Sequence, residues 1–237
     1  MVKKKLNAHA MSTPAASAVP AYRSFITPKI TEAQINSEKH GCKCYMDGLS
    51  AAEQEVADLL TQELGYKDYF IFNNIIIPSE NNGSTQIDHL VISKFGIFVI
   101  ESKDYAGWIF GSPDHPVWTQ SLAGGHARFT FQNPVRQNWA HIMALKTLMP
   151  LEGEIFHNLI VFSERCEFKT SRIENVLYVH QLIGFIKKFN TEIISEAALL
   201  LVIGKLSYLC QVTDISHEEH VSNVQNALEK KIYKEAK

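Results

Sequence analysis

A strong excess of positive charge is missing from this chain: its 237 residues include 23 Lys and Arg and 25 Asp and Glu, a formal net charge of −2. This balance excludes a uniformly basic protein that coats nucleic acid, so any nucleic-acid contact must be local. Between Gly48 and Met149, acidic residues outnumber basic ones. A polyanion can approach such a region only if bound cations neutralise it, which is the first indication of a metal.

Cysteine is also scarce, with four residues in the chain. Cys42 and Cys44 are close in sequence, whereas Cys166 and Cys210 stand alone. A zinc site needs more ligands at a recognisable spacing. We therefore expect ordinary reduced thiols in a cytoplasmic protein.

Long apolar runs are absent as well. The most apolar stretch, Ala197 to Ile203, is bounded by Glu196 and Lys205, falls far short of the roughly 20 residues that span a bilayer, and is predicted to be a buried helix. The lysines at positions 3–5 precede Ala, Ser, Thr and Pro rather than the apolar segment of a signal peptide. The sequence predicts neither a membrane protein nor an exported one.

Hydrophobic residues are plentiful, at 46% of the chain, which is enough for a substantial core. Residues 1–47 lack sustained periodicity and are predicted to be a flexible leader. Residues 48–165 mix helical and strand patterns and are predicted to form the α/β core. Residues 166–237 are predicted to be a mainly helical extension packed on that core.

Spacing and turn residues place the elements of the core. A helix begins at Ser50, which forms a capping-box pattern with Glu53, and it ends at Gly65. A second helix opens at Asn133-Pro134, with Asn as its N-cap. The pattern predicts strands at 69–77, 86–93, 96–102, 108–110, 117–120, 155–163 and 176–179, a loop around 124–125, and further helices near 182–189, 192–210 and 217–231.

The strands at 86–93 and 96–102 are predicted to form a hairpin through Lys94-Phe95. A two-residue turn brings Asp88 directly opposite Glu101, with Cβ atoms within about 5.5 Å of each other. A three-residue turn with a bulge would shift the register by one and move Asp88 to the other face of the sheet.

Lys103 lies two residues beyond Glu101 and so projects to the same side. Two carboxylates this close repel each other unless one is protonated or a divalent cation lies between them, and Mg²⁺ or Mn²⁺ is the simplest solution. Such an ion would polarise a phosphodiester and lower the pKa of a bound water, while Lys103 positions the water or stabilises negative charge. The alternative makes Asp88 a strand-edge residue and the Glu101–Lys103 pair a surface ion pair.

Four separated segments around these residues follow one another in a recognisable order. They are Gln86-Ile87-Asp88-His89, Ile100-Glu101-Ser102-Lys103 with Gly107 after it, Trp118-Thr119-Gln120, and Asn133-Pro134-Val135-Arg136-Gln137-Asn138. Together they resemble the nuclease-related domain (NERD) family, a branch of the PD-(D/E)xK nuclease superfamily. The resemblance spans roughly Ala52 to Phe162 and is far more specific than an isolated Glu-x-Lys.

This resemblance implies a restriction-endonuclease-like core, in which helices flank a mixed central sheet. It also implies that Asp88 and Glu101 bind metal and that Lys103 is the catalytic lysine of a Mg²⁺- or Mn²⁺-dependent nuclease. Its nucleic-acid substrate would be DNA by analogy with the superfamily.

Further site residues are carried over in the same way. Glu53 matches the family's upstream glutamate and is an auxiliary metal ligand, although Ala52 replaces the preceding glycine; its alternative role is to complete the capping box. Gln120 is a candidate catalytic-site residue, and Gln137 and Asn133 are candidate substrate-binding residues. The alternative for Gln137 is to satisfy backbone groups near a helix start.

The remaining polar and aromatic candidates favour structural roles. His89 projects to the face opposite Asp88, which favours a buried, hydrogen-bonded imidazole over a ligand. Trp108, Trp118 and Trp139 are expected in the core or in a groove wall, with base stacking as the alternative.

Two rival functions stay open: a non-catalytic nucleic-acid-binding module on the same fold, and a scaffold that holds a protein partner through the C-terminal helices. Asp88, Glu101 and Lys103 together favour the nuclease, because a structural role gives no reason to place like charges together on a sheet.

Overall fold

The computed structural model describes residues 49–79, 83–149, 151 and 153–212. The predicted leader, with Cys42 and Cys44, and the predicted helix at 217–231 lie outside these residues. The described part is a mixed α/β fold with two mixed sheets and flanking helices, which is compatible with the expected restriction-endonuclease-like core.

The larger sheet has the strand order β1-β2-β3-β7-β9. Neighbours among the first three strands are antiparallel, whereas β3, β7 and β9 run parallel. The strands are β1 (Tyr69–Ser79), β2 (Gly83–Ser93), β3 (Gly96–Lys103), β7 (Phe156–Phe162) and β9 (Val176–Tyr178).

Pro78 does not end β1, contrary to the predicted strand end at Ile77. It pairs in register with Ser84 of β2. An outer strand accommodates proline because the missing N–H need not serve a second neighbour.

The smaller sheet has the order β6-β5-β4-β8, in which β4 and β8 are parallel. Its strands are β4 (Gly107–Phe110), β5 (Val117–Leu122), β6 (Ala127–Gln132) and β8 (Cys166–Phe168). The sequence analysis missed β6 and β8. β6 does alternate apolar Ala and Phe with Arg, Thr and Gln, but the neighbouring Gly124 and Gly125, both at positive φ, favoured a longer loop.

In the described part of the chain, the α-helices are α1 (Ala51–Glu63), α2 (Pro134–Leu148), α3 (Leu182–Ile186) and α4 (Glu196–Val212). α1 and α2 cover opposite faces of the larger sheet: Leu60 packs in one cluster with Phe98, and Ile142 packs in another with Val99. Because side chains alternate along β3, these two clusters are separated by the sheet itself.

Both predicted helix starts are confirmed. The Ser50 N–H donates to Oε2 of Glu53 at 2.7 Å, and the Glu53 N–H donates to Oγ of Ser50 at 3.3 Å, which completes the capping box. At α2, Oδ1 of Asn133 accepts from the Val135 and Arg136 N–H groups. Each cap satisfies helix N–H groups that have no partner within the helix.

α4 departs from the prediction of a buried helix. Val202 and Leu206 are buried against the larger sheet, whereas Leu200 and Leu201 are 56% and 62% exposed. A continuous apolar run does not show which face of a helix meets the core, because the usual 3.6-residue contrast is lost. Within the described ranges, no helix is long and apolar enough to cross a membrane.

Candidate active site

The turn between β2 and β3 has two residues, as predicted, so Asp88 lies in register with Glu101. The backbone ladder ends one pair earlier, at His89 and Ile100. At the next position the backbone N–H of Ser102 donates to Oδ2 of Asp88 at 2.8 Å. Backbone pairing thus gives way to a side-chain contact where the two carboxylates face each other.

Glu101 is buried on the α2 face and is contacted by three side chains. Its Oε1 accepts hydrogen bonds from Nζ of Lys103 at 2.5 Å and from Nε2 of Gln137 at 2.6 Å. Its Oε2 lies 3.2 Å from Nε2 of His141, but neither of these two buried atoms has a well-aligned hydrogen bond in the described structure. Burial acts to raise the pKa of Glu101, but His141 and Lys103 outweigh it, so the pKa is lowered and the carboxylate is ionised.

α2 supplies two of these contacts from one face, since Gln137 and His141 are four residues apart. Nδ1 of His141 lies 2.6 Å from Oγ1 of Thr85 on β2. Buried Asn138 donates to the Val99 carbonyl of β3 at 2.7 Å, which fixes the helix against the sheet. The sequence analysis missed His141, although its spacing from Gln137 was an available signal.

Asp88 is half-buried and has fewer stabilising contacts than Glu101. Burial raises its pKa well above the ordinary value, and the negative charges of Glu101 and Glu53 raise it further; the Ser102 N–H and Lys103 only partly offset them. Lys103 is itself buried enough to lower its pKa, but Glu101 and Asp88 reverse this, so the ammonium stays charged. The site therefore offers two carboxylates against one ammonium, and ionisation of Asp88 is disfavoured unless further positive charge is supplied.

The donors of this site fit Mg²⁺ or Mn²⁺. Asp88 and Glu101 provide hard carboxylate oxygens, and Oε2 of Glu101 has no well-aligned partner. Among the described residues, no group of three or more His, Cys, Asp or Glu side chains is arranged to hold a metal. Two carboxylates nevertheless suit Mg²⁺, which usually keeps waters and takes substrate phosphate oxygens as its remaining ligands.

The other predicted site residues have different surroundings. Oε2 of Glu53 is engaged in the capping box, while its charge still acts on Asp88. Gln120 donates to the carbonyl of Ala106, three residues after Lys103, at 2.8 Å.

Asn133 has no exposed surface with which to meet a substrate. Besides capping α2, its amide donates to the carbonyls of Ser112, Pro113 and His115 at 3.2, 3.1 and 2.7 Å. It therefore holds the loop before β5 against the start of α2.

On the opposite face of the sheet lies a neutral network. His89 is fully buried, and its Nδ1 lies 2.8 Å from Oδ1 of Asn73. Because an amide oxygen can only accept, Nδ1 is the donor of this bond. The other ring nitrogen, Nε2, lies 3.0 Å from Oγ of Ser102 and accepts a hydrogen bond from that hydroxyl. Burial lowers the pKa of His89 to about 3, which keeps the ring neutral. This confirms the predicted buried imidazole, and Ser102 links it to Asp88.

The three tryptophans differ in exposure. Trp118 is 1% exposed and packs in the core beneath the smaller sheet, as expected. Trp108 and Trp139 are 36% and 50% exposed, so neither is a core residue.

Comparison with known proteins found a similar protein and a matching family model. A Bacillus anthracis protein described as uncharacterized is 33% identical over 135 residues, or 55% of this chain. The chain covers 62% of that relative, less than two thirds of its length. The family model described as nuclease-related domain, NERD, matches residues 49–163, which include the proposed ligands and lysine. This match covers just under half of the chain, and over residues 49–163 the chain is similar to the nuclease-related domain family.

Proposed function

We propose that this chain is a Mg²⁺- or Mn²⁺-dependent nuclease that hydrolyses phosphodiester bonds in DNA. The observation that carries the proposal is the meeting of Asp88, Glu101 and Lys103 on one face of the β2-β3 hairpin. Burial first, and then the negative charge of the opposed Glu101, raise the pKa of Asp88, and a bound cation would offset this penalty on the ionised carboxylate.

The proposed metal ligands are Asp88 and Glu101, with Glu53 as an auxiliary ligand. A divalent ion held there would supply Lewis-acid activation of the phosphate and a water of lowered pKa. Because the capping box uses only Oε2 of Glu53, the carboxylate can take part through Oε1, through its charge or through a bridging water while the Ser50 N–H stays paired.

The chain's own residues orient the reacting groups. Lys103 is the catalytic lysine in this proposal: its ammonium holds the attacking water or offsets negative charge in the transition state. Gln137 shares Oε1 of Glu101 with Lys103, which fixes the carboxylate rotamer, and it is the preferred substrate-binding candidate of α2. We assign positioning roles to Asn133 through the start of α2 and to Gln120 through the segment that follows Lys103.

The decisive experiment incubates the purified chain with supercoiled plasmid and linear DNA, with and without Mg²⁺ or Mn²⁺. We expect cleavage that requires the metal and disappears in a Glu101→Gln variant purified in the same way. Cleavage retained in that variant would point to a contaminating nuclease. If the wild-type chain binds DNA without metal and never cleaves it, the nuclease proposal is wrong and the non-catalytic nucleic-acid-binding module takes its place.

A protein partner for the C-terminal helices is a second proposal, favoured by one observation. α4 exposes 62% of Tyr208 in addition to Leu200 and Leu201, and large apolar side chains at a surface often mark interaction sites.

A cytoplasmic location also stays a prediction.

A further inference from the structure

Two buried polar atoms of the candidate site face each other without a well-aligned hydrogen bond to any described residue. They are Oε2 of Glu101 and Nε2 of His141, which lie 3.2 Å apart. Their side chains are 3% and 8% exposed, so solvent contributes little to satisfying them. Because a buried polar atom without a partner costs free energy, this arrangement favours a bound group that contacts both atoms.

A divalent cation is such a group. Two ligand atoms that each lie about 2.1 Å from an ion, at right angles to one another, are about 3 Å apart, which is close to the 3.2 Å observed between these two atoms. The other oxygen of Glu101, Oε1, already accepts from Lys103 and Gln137. Oε2 is therefore the oxygen of this carboxylate that is available to an ion.

The second ring nitrogen of His141 is placed as in histidines that bind metals. Nδ1 lies 2.6 Å from Oγ1 of Thr85 on β2. When Nδ1 carries the ring proton and donates it to this hydroxyl, Nε2 presents its lone pair toward Glu101. A metal-binding histidine usually donates its other N–H to a polar group in this way, and the bond fixes the orientation of the ring.

His157 provides a comparison, because its Nε2 is also buried without a hydrogen-bond partner among the described residues. Its ring stacks on Phe98 with the centroids 4.7 Å apart, and Phe98 projects to the face of the sheet opposite Glu101. Nε2 of His157 packs against Gly96, where a side-chain carbon would lie 2.6 Å from it. The feature that distinguishes His141 is the carboxylate oxygen that faces its ring nitrogen.

We infer that His141 binds the divalent ion of this site through Nε2, together with Oε2 of Glu101. The inference rests on the proposed metal-dependent nuclease and adds a nitrogen ligand to its carboxylates. In the described structure these side chains and Asp88 do not form a closed three-ligand group, so an ion bound there would draw Asp88 toward them. Because imidazole favours transition-metal ions, the site should bind Mn²⁺ more tightly than Mg²⁺.

The test detects the nitrogen ligand directly. Mn²⁺ alone is added to the full-length chain, prepared with histidine of either stable nitrogen isotope, and electron spin-echo envelope modulation is recorded. Modulations that change with the isotope show a histidine bound to the ion. They should disappear in His141→Gln, which keeps a hydrogen-bond donor for Glu101 but has no ring nitrogen, and they should persist in His157→Gln.

Metal affinity provides a second readout, measured by isothermal titration calorimetry. His141→Gln should weaken Mn²⁺ binding about 10-fold or more, because even the loss of a group that orients a ligand costs roughly 10- to 100-fold in affinity. Mg²⁺ binding should weaken less, so the preference for Mn²⁺ should shrink. If His141→Gln does not fold, Thr85→Val keeps the ring and removes its hydroxyl partner, and it should shift the nitrogen modulation frequencies.

The outcomes separate this inference from the proposed nuclease. Mn²⁺ that binds wild type without isotope-dependent modulations would overturn the ligand role, as would modulations unchanged in both His141→Gln and Thr85→Val. Metal-dependent DNA cleavage in those cases would leave the nuclease standing, with His141 only a hydrogen-bond donor to Glu101. A wild-type chain that neither binds Mn²⁺ nor cleaves DNA would remove both proposals.

Discussion

Two Glu-x-Lys pairs with the same spacing lie in different regions of this molecule. Glu101 and Lys103, at the end of β3 in the larger sheet, are 2.5 Å apart with side chains 3% and 18% exposed. Glu167 of β8 and Lys169 just after it, in the smaller sheet, are 2.6 Å apart with side chains 62% and 33% exposed. The bond lengths are nearly equal, whereas the surroundings are opposite.

The difference shows what distinguishes a Glu-x-Lys pair suited to catalysis from an ordinary surface ion pair. Residues two apart on a strand share a face, so any Glu-x-Lys can form an ion pair. Around Glu101 the fold adds a second carboxylate, Asp88, in a buried setting where charges act strongly. Lys169 instead lies 5.0 Å from the centre of the Trp108 ring, on an exposed surface where water screens the pair.

The largest effect is expected when Lys103 is replaced, and Lys169 provides the matched control. Lys103→Ala should reduce the single-turnover cleavage rate on the order of 100-fold or more, because a preorganised charge is lost from the reaction centre, while DNA affinity in Ca²⁺ changes little. Lys103→Arg should not restore the rate, because a planar guanidinium does not replace a compact ammonium in a small site. The matched Lys169→Ala variant should cleave like wild type; a loss shared by both lysine variants would mean that the effect is not local.

The second prediction concerns metal-induced stability. An ion that binds only the folded state adds RT ln(1 + [L]/Kd), about 2.7 kcal/mol at 100 times Kd, so Mn²⁺ or Mg²⁺ should raise the Tm. Asp88→Asn and Glu101→Gln should each abolish the rise, whereas Glu167→Gln should retain it. Thermal melts across a metal titration measure this, and an undiminished rise in the first two variants would place the ion elsewhere.

The third prediction is a pH effect in the metal-free chain. The folded pKa of Asp88 is above its unfolded value, so the folded state binds this proton more tightly, and the free energy of unfolding should fall as pH rises from the ordinary aspartate pKa through the folded one. Asp88→Asn removes this loss, and its amide oxygen can still accept the Ser102 N–H.

Urea unfolding of both proteins in chelator, from acidic to neutral pH, should show the Asp88→Asn variant gaining stability over wild type as pH rises. Glu101 has a lowered pKa and contributes in the opposite sense, but it is present in both chains. A difference in unfolding free energy between the two chains that stays constant across the pH range would mean that the pKa of Asp88 is not raised in the folded state.

How far the sequence predicts this site depends on the range of the interactions involved. The turn at Lys94-Phe95 is local, and it set the register of Asp88 and Glu101 correctly. His141 is forty residues beyond Glu101 in sequence, and their contact depends on how α2 docks on the sheet. The sequence pattern of a single helix or strand does not show how α2 packs on the sheet.

The same distinction holds for the fold. The capping box at Ser50 and the N-cap at Asn133 are local signals, and both were confirmed. The exposed face of α4 was not predicted, because which side of an apolar helix is covered depends on the sheet beneath it. The Glu-x-Lys at Glu167 shows the same limit. The spacing predicts that the two side chains can form an ion pair, but only the tertiary structure shows whether that pair is buried in a site or exposed on the surface.

The smallest effect is expected at the Glu167–Lys169 pair itself. Exposed ion pairs contribute roughly 0.2–1 kcal/mol, because strong hydration and side-chain entropy offset most of the attraction. A double-mutant cycle with Glu167→Gln and Lys169→Met, read by urea unfolding, should give a coupling free energy within that range and smaller still in 1 M NaCl. Lys169→Met removes the contact with Trp108 both when Glu167 is present and when it is combined with Glu167→Gln, so this loss cancels from the cycle. A coupling free energy of several kcal/mol that resists salt would show that this pair is as strongly held as a buried one, and the contrast between the two Glu-x-Lys regions would then have to rest on Asp88 alone.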